Sequence, residues 1–381
     1  MKLTQGIAMQ NYTDSVEEYI KRTIFSKTGE TFLDLSSQED ILYSELNDIG
    51  QWLCKDYIKG DSSFYLLDSV QVQAAAVHGH QAVLVYKGML DLIFRTSAMM
   101  VGAERRHKFP GEEFYEPWRN NLNYWFRCAE FDWSDKRYWW LHRDDSRKAF
   151  DMCAEGLFVF LLLHEIGHLH NLHGDRRIEK SRSEISTFSL DDDEIFVHEA
   201  LGCGEAMSEA DRLASHAREI VADTYAFKFM IVELRDSLLP ESAYSGRDEV
   251  ALRALNFGVC NHMVASLFWA FSFQRPMRND IQEDDYPSHL FRLQSIENSA
   301  LEGQLAGGNE ETYLGMAVGI KTYTAKLVCA AGDDEFVTWR ETAKIPANQE
   351  HYQKIRGVVG EWSNIKFGVR DEDWLPWPFS T

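Results

Sequence analysis

The feature that most constrains the fold of this chain is a long apolar stretch that ends in two histidines. Residues 149–163 are mostly apolar, rich in good helix formers and free of proline, and they lead into the motif HEIGH at residues 164–168. This pattern predicts a buried helix. Positions four apart share one face of a helix, so the imidazoles of His164 and His168 can hold one metal ion between them. Glu165 is rotated by about a third of a turn and can take a proton from water at that ion.

A metal site of this kind needs a third ligand, because catalytic zinc usually has three protein ligands and one open position. The motif alone is short, and the dipeptide His198-Glu199 shows how readily its first half occurs without the second. The metzincin pattern places Gly three residues and His six residues after the second histidine. Asn171 and Gly174 occupy those places, so that class is excluded.

A later helical pattern supplies candidate ligands. Residues 208–238 carry Glu219 and Asp223, which are four apart and therefore share a face. One carboxylate can bind the metal while the other orients a ligand histidine. His216 lies three residues before Glu219 on a similar side of the helix, which makes it a rival third ligand.

The motif HEIGH followed by a helix with the pattern ExxAD resembles the gluzincin metallopeptidases. The resemblance implies Zn²⁺ as cofactor, with His164, His168 and Glu219 as its ligands. It also implies that Glu165 is the general base and that Asp223 orients a ligand histidine. The fold expected from it is a zincin-like catalytic core with an active-site helix and a glutamate helix.

A segment farther along the chain is similar to the element of soluble gluzincins in which a turn with proline leads into a helix bearing His and Arg. Here the segment begins at Tyr286 and includes His289 and Arg292. A polar donor at this position can stabilise the oxyanion that forms when water attacks a carbonyl, and Tyr286 and His289 are the candidates. Arg292 can pair with Asp223 or with substrate. Some relatives have the histidine before the proline, where this chain has Tyr286, so a surface role for His289 is the alternative.

The fold class predicted for the whole chain is mainly α with some β structure (α+β). Four further segments have apolar residues at helical spacing: 39–57, 81–101, 208–238 and 249–273. Residues 31–35 alternate like a short strand. The gluzincin resemblance covers residues 149–229. We therefore divide the chain into an N-terminal region of mixed helix and strand (1–107), a zincin-like core (108–300) and a C-terminal elaboration (301–381).

Three other features have both a structural and a functional interpretation. Residues 175–199 are polar and acidic, and they form either a surface loop or a lid over the site. Residues 108–140 are rich in aromatic side chains, which serve either as core packing or as a wall for a bound peptide. His78 and His80 flank a glycine, and they form either a turn or a metal-binding pair.

Charge and cysteine usage narrow the partners and the location. A net charge of −21 disfavours nucleic acid and anionic membranes as partners, and it indicates either solubility alone or a preference for basic polypeptides. The six cysteines form no CxxC pair, and the N-terminus has no apolar signal-peptide region. The longest apolar stretches are too short to span a membrane. These features predict a cytoplasmic protein with free, mostly buried thiols.

The function expected from the motifs is zinc-dependent endopeptidase activity on a protein or peptide substrate. The size and the HEIGH sequence are similar to those of phage-exclusion proteases of the Lit type, which implies one specific substrate protein in prokaryotic stress or phage defence. Two alternatives remain open. One is a binding or scaffold protein whose zinc site is vestigial or structural, and the other is a zinc hydrolase that acts on a different bond. The sequence does not indicate the oligomeric state.

Overall fold

The computed structural model describes most of the chain as a mainly helical protein with one small sheet. The described residues are 15–58, 62–127, 131–174, 208–234, 249–274, 287–306, 308–331 and 335–362. Their α-helices are α1 (Val16–Ile20), α2 (Ser26–Thr28), α3 (Leu42–Tyr57), α4 (Lys87–Lys108), α5 (Leu122–Arg127), α6 (Asp144–His170), α7 (Glu209–Glu233), α8 (Glu249–Ser272), α9 (His289–Ala306), α10 (Glu310–Ala331), α11 (Glu335–Glu341) and α12 (Pro346–Trp362). The mainly α prediction is confirmed for this part of the chain.

The sheet has four strands in the order β1-β2-β4-β3. They are β1 (Thr31–Phe32), β2 (Ser63–Asp68), β3 (Ala74–Val77) and β4 (Ala82–Tyr86). Strands β2 and β4 are parallel, whereas β1 and β3 pair antiparallel at the two edges. One face of the sheet packs on the main core through Val83 and Val85, and the other packs on α1 through Leu84 and Tyr86. Because both faces are covered, every residue of β4 is buried.

The helix predicted over residues 81–101 is wrong at its start. Residues Ala82–Tyr86 form strand β4, and α4 begins only at Lys87. A run of apolar residues that is buried on both faces has no alternation, so its sequence period cannot distinguish a strand from a helix. The β-branched side chains of Val83 and Val85 favour the strand.

The helix α6 forms the centre of the main core. Nearly all of its residues from Phe150 to Leu163 are buried. Its C-terminal half packs closely along α7, and α9 and α12 pack on the other sides of α7. The sheet reaches the same region, because β3 lies against α6. Two helices, an edge strand and the start of α9 therefore meet around the HEIGH motif.

The helix α8 is a core helix. Its segment Val250–Ser272 is long and apolar enough to cross a membrane by length and composition, which differs from the expectation that the apolar stretches of this chain are too short. About 72% of the most apolar 18-residue stretch of this helix is buried inside the protein. Side chains such as Phe257 and Trp269 are fully buried among other core residues.

Aromatic side chains of residues 108–140 pack into the core. Trp118, Phe126 and Trp140 are fully buried and contact one another or neighbouring rings. None of the described residues in this segment lines the cavity beside the HEIGH motif. The structure thus favours core packing over a peptide-binding wall. The described free cysteines Cys54, Cys153 and Cys260 are buried, as expected.

Candidate metal centre

The HEIGH motif lies in the last turns of α6 and faces α7. His164 is buried, and His168, one turn later, points its imidazole toward the same point between the helices. Their Nε2 atoms are 3.2 Å apart. Glu219 of α7 completes the group: its Oε2 lies 3.4 Å from the Nε2 of His164, and its Oε1 lies 3.3 Å from the Nε2 of His168.

These separations fit a tetrahedral zinc ion. Ligand atoms about 2.0–2.1 Å from a tetrahedral zinc are separated from each other by about 3.3 Å. The 3.2 Å between the two imidazole nitrogens agrees with that edge length, and each nitrogen has one oxygen of the Glu219 carboxylate at a similar distance, Oε2 for His164 and Oε1 for His168. In the described part of the chain, one group of side chains could hold a metal ion with ligand atoms that all lie within 4.8 Å of one another. Its members are His164, His168 and Glu219. Two imidazole nitrogens and one carboxylate are a ligand set typical of catalytic zinc.

A buried ion-pair network orients the first imidazole. The Nδ1 atom of His164 lies 2.9 Å from Oδ1 of Asp223, which is fully buried on α7. Arg292 of α9 donates two hydrogen bonds of 2.7 Å to the two oxygens of Asp223. Its Nη1 also lies 3.3 Å from Glu219. When His164 donates its Nδ1–H to Asp223, the Nε2 lone pair is available to a metal.

The charges of this network shift the pKa values of its members. Burial opposes the positive charge on His164, but the carboxylates of Asp223 and Glu219 outweigh burial and raise the pKa of the imidazole to about 10. Burial likewise opposes ionisation of Glu219, but His168 and Arg292 hold the pKa of its carboxyl well below the ordinary value. Protons and metal ions compete for the same lone pair. The carboxylates that favour a proton on His164 would therefore also favour a divalent cation.

A third histidine, which the sequence analysis missed, contacts the second imidazole. The Nδ1 atom of His173 lies 2.8 Å from the Nδ1 of His168. The Nε2 atom of His173 lies 3.1 Å from the backbone carbonyl oxygen of Trp362 at the end of α12. His173 is 2% exposed, and burial lowers its pKa well below the ordinary histidine value. The imidazole of His173 is therefore neutral.

Glu165 lies at the wall of a cavity of about 360 Å³ that opens beside the three ligands. Burial raises the pKa of its carboxyl, although the neighbouring imidazoles oppose this. The cavity is also lined by residues 72–76, which include most of edge strand β3, and by Arg218 and His289. A carboxylate with a raised pKa next to a candidate metal centre is suited to accept and release a proton.

Comparison of the chain with models of protein families, with curated proteins and with solved structures finds no match. The chemical interpretation of the centre therefore depends on the motif residues and on their arrangement in the fold. Three observations support this interpretation: the distances between the candidate ligand atoms, the buried partners of both imidazoles and the carboxylate of Glu165 at the cavity wall.

Of the site residues predicted near the start of α9, His289 and Arg292 are described by the structure and Tyr286 is not. His289 begins α9 and lines the cavity, where its ring stacks on Phe271 at a centroid distance of 5.1 Å. Tyr286, the other candidate oxyanion donor, and the acidic segment 175–199 lie outside the described residues. Arg292 pairs with Asp223, which is one of its two expected partners.

The rival third ligand His216 lies away from the candidate centre. It is fully buried between α7 and α12, and its Nδ1 is 3.0 Å from the Nε2 of His351. It does not line the cavity beside the HEIGH motif. Of the two candidates on α7, Glu219 is the one whose ligand atoms meet the Nε2 atoms of His164 and His168.

His78 and His80 form a 3-10 turn between β3 and β4, which agrees with the turn interpretation. Their side chains point to different places, because His80 contacts the ring of Tyr19 while His78 lines the cavity. The His78 ring occupies the space beside Gly174, where a Cβ atom would lie 2.4 Å from its Cδ2. Burial lowers the pKa of His78 to about 3, so its imidazole is neutral.

Proposed function

We propose that this protein is a zinc-dependent endopeptidase that hydrolyses a peptide bond of a protein substrate. His164, His168 and Glu219 would hold Zn²⁺, and Glu165 would act as general base and then as general acid. The observation that supports this proposal best is the convergence of two imidazole nitrogens and the Glu219 carboxylate beside the buried carboxyl group of Glu165. We also propose that residues 108–300 form a zincin-like core, with α6 as the active-site helix and α7 as the glutamate helix.

The proposed chemistry divides between the metal and the side chains. Zn²⁺, when bound, supplies a Lewis acid that acidifies water and polarises a carbonyl group. Glu165 takes the proton from the attacking water and delivers it to the leaving amine. Its raised pKa suits both steps, because a base whose pKa lies closer to neutral pH also gives its proton back more readily. Asp223 keeps the Nδ1 proton of His164 in place.

The edge strand β3 suits an extended peptide substrate. Among the described strands, β3 is an edge strand that pairs with β4, and its residues line the cavity together with Glu165. An extended peptide can add to such an edge through backbone hydrogen bonds. The small side chains of Ala74, Ala75 and Ala76 let another backbone approach closely. These features favour a peptide bond over other hydrolysable groups.

The biological setting is proposed from the similarity to Lit-type proteases and from composition. We propose a cytoplasmic enzyme that cleaves one specific host or regulatory protein during prokaryotic stress or phage defence. The net charge of −21 argues against nucleic acid as a partner.

The main alternative is a binding or scaffold protein with a structural zinc site. Structural zinc sites are usually closed by four protein ligands. The described residues contribute three, and the fourth side faces a cavity that contains Glu165. A structural site also has no need of an adjacent ionisable carboxylate, so these features favour catalysis.

The function is tested by comparing the wild type with Glu165→Gln. The matched control is Glu155→Gln, because Glu155 is a partly buried glutamate on the same helix that does not line the cavity. Each protein is expressed in a bacterial host, and new protein N-termini are identified by mass spectrometry. We expect new termini with the wild type and with Glu155→Gln but none with Glu165→Gln, while all three proteins retain zinc. Identical termini with the wild type and Glu165→Gln would contradict the proposal.

A further inference from the structure

We propose that His173 is a positioning residue of the metal centre, which fixes the tautomer and the orientation of His168 from a backbone carbonyl of helix α12. This inference deepens the proposed function and depends on its zinc site. His173 lies five residues after the last histidine of HEIGH and belongs to neither the HEIGH nor the ExxAD motif.

The hydrogen bonds around His173 permit one arrangement of protons. The Trp362 carbonyl oxygen can only accept, so the Nε2 of His173 at 3.1 Å must donate to it. The Nδ1 atoms of His173 and His168 are 2.8 Å apart, so one of them donates and the other accepts. When the Nε2 lone pair of His168 binds a metal, the proton of that imidazole is on Nδ1, and His168 is the donor. The Nδ1 of His173 is then the acceptor, and the Nε2 of His168 faces Glu219 and His164.

The two proposed ligand imidazoles thus have different hydrogen-bond partners, and each partner fixes the tautomer of its imidazole. In this arrangement His164 donates its Nδ1–H to the carboxylate of Asp223, whereas His168 donates to the ring nitrogen of His173. Both partners are buried, at 0% and 2% exposure for Asp223 and His173. Water therefore cannot easily replace either hydrogen bond, and the tautomer of each ligand is set by the protein.

The backbone at the end of α6 turns in an unusual way to bring His173 into place. Leu172 has a φ of 54°, in the left-handed region that leucine rarely adopts. The side chain of Asn171 caps the helix by donating a 2.7 Å hydrogen bond to the Gly167 carbonyl oxygen. The chain reverses at Leu172, so the next residue points back toward the last turn of α6. A strained turn of this kind is typical of functional positions.

The link to Trp362 joins the ligand to a distant part of the chain. Trp362 is the last residue of α12, and its ring stacks over the guanidinium of Arg218, which lines the cavity. The position of α12 therefore bears on the hydrogen bond to His173 and, through it, on His168. Metal affinity should accordingly depend on a helix that contributes no ligand.

Zinc affinity in two variants tests the inference. His173→Phe keeps a ring of similar size but removes both nitrogens, whereas His173→Gln keeps one acceptor and one donor. His170→Gln is the matched control, because His170 is a nearby histidine at the end of α6 whose ring contacts Tyr225 and does not line the cavity. We expect His173→Phe to weaken zinc binding by about 10–100-fold, which is the usual effect of losing such a partner. We expect His173→Gln to recover most of that loss and His170→Gln to bind like the wild type.

The outcomes separate this inference from the proposed function. If the wild type binds one zinc ion and His173→Phe binds it equally well, the role of His173 is overturned while the zinc site stands. If the wild type binds no zinc, the proposed function fails, and the tautomer then decides the role of His173. Nitrogen-15 chemical shifts of the histidine rings should show a neutral His173 protonated at Nε2. A proton on Nδ1 of His173 would overturn the inference in either case.

Discussion

Gly167 lies so close to the backbone of Ala222 that a methyl group on it would be 3.2 Å from both the Cα and the carbonyl oxygen of Ala222. Gly167 precedes the candidate ligand His168, and Ala222 precedes Asp223. The contact therefore sets the separation of α6 and α7 at the level of the candidate metal centre. The glycine of the HEIGH motif is needed for this close approach of two helices rather than for any bond to a metal.

Substitution of Gly167 by alanine should weaken zinc binding by about tenfold, because α7 must move by a few tenths of an ångström and carry Glu219 away from the imidazoles. Gly156→Ala on the same helix is the control. Its methyl group would meet the side chains of Met263 and Leu234, which are flexible and lie away from the ligands. It should lower stability but leave zinc affinity unchanged. A competition titration against a chelator of known affinity measures both variants, and equal affinities would contradict the packing argument.

The carboxylate of Asp223 contacts both His164 and Arg292, so its substitution should affect both stability and metal affinity. Asp223→Asn leaves Arg292 buried with a weakened partner, which should lower the free energy of unfolding by about 3 kcal/mol. It should also weaken zinc binding by about 10–100-fold, because His164 loses the acceptor of its Nδ1–H. Chemical denaturation of the metal-free protein and zinc titration measure the two effects.

A double variant separates these two roles of Asp223. In Asp223→Asn combined with Arg292→Met, the unpaired buried charge is removed together with its partner. We expect part of the stability to return, since a buried apolar side chain replaces the guanidinium. The zinc affinity should stay low because His164 still lacks its carboxylate partner. Recovery of zinc affinity in the double variant would show that Asp223 does not orient His164.

The ligands of the centre were predictable because each lies in a regular helix. Residues four apart on one helix share a face, so the spacing predicted that His164 and His168 meet and left Glu219, Asp223 and His216 as candidates on the later helix. The resemblance to gluzincins then favoured Glu219 as the third ligand and Asp223 as the residue that orients a histidine. The structure adds the distances between these atoms and removes His216, which the spacing placed on a similar side of α7.

The rest of the site depends on contacts that no local spacing reveals. His173 reaches His168 only because Leu172 adopts a left-handed conformation, and its other partner lies 189 residues later in the chain. His78 and strand β3 come from the N-terminal region, and the sequence pattern indicated His78 only as part of a turn or of a metal-binding pair with His80, not as a wall of the cavity beside HEIGH. A signal for His173 did exist in the two further histidines that follow HEIGH at positions 170 and 173. Their spacing alone could not say which one turns back to the ligands.

Acid should destabilise the protein partly through His262 of α8. The ring of His262 stacks on Tyr323, and its Nδ1 has no hydrogen-bond partner among the described residues. Burial, together with Lys326, lowers the pKa of His262 from the ordinary 6.5 to about 3. Between those two pH values the unfolded chain binds a proton that the folded chain does not, so stability falls as the pH falls.

Replacement of His262 by phenylalanine should reduce this acid sensitivity. Between pH 7 and pH 4.5 the wild type should lose about 2 kcal/mol more free energy of unfolding than His262→Phe, since one group with a lowered pKa is removed. The measurement is chemical denaturation of both metal-free proteins at a series of pH values. Metal-free protein is used because protonation also releases a bound metal. Parallel pH profiles for the two proteins would contradict the assignment.

Gly174 should tolerate no side chain, because the His78 ring fills the space beside it. Gly174→Ala should therefore lower the free energy of unfolding by about 1–3 kcal/mol as His78 is displaced. Gly357 in α12 is the control for this prediction, since no described atom lies within 4 Å of a Cβ atom added there. Gly357→Ala should raise stability by about 0.5–1 kcal/mol through the better helix propensity of alanine. Denaturant unfolding curves compare the two, and equal shifts in both would show that His78 does not pack as described.

The most direct test of the whole account is a zinc titration of the metal-free protein at pH 7. We predict one zinc ion per chain for the wild type. We also predict that Glu219→Ala weakens binding by more than about 100-fold, because it removes a ligand rather than a partner of one. His216→Gln, which alters the rival ligand on the same helix, should bind like the wild type. A wild type that binds no zinc, or a Glu219→Ala variant that binds it as tightly as the wild type, would contradict the proposed metal centre.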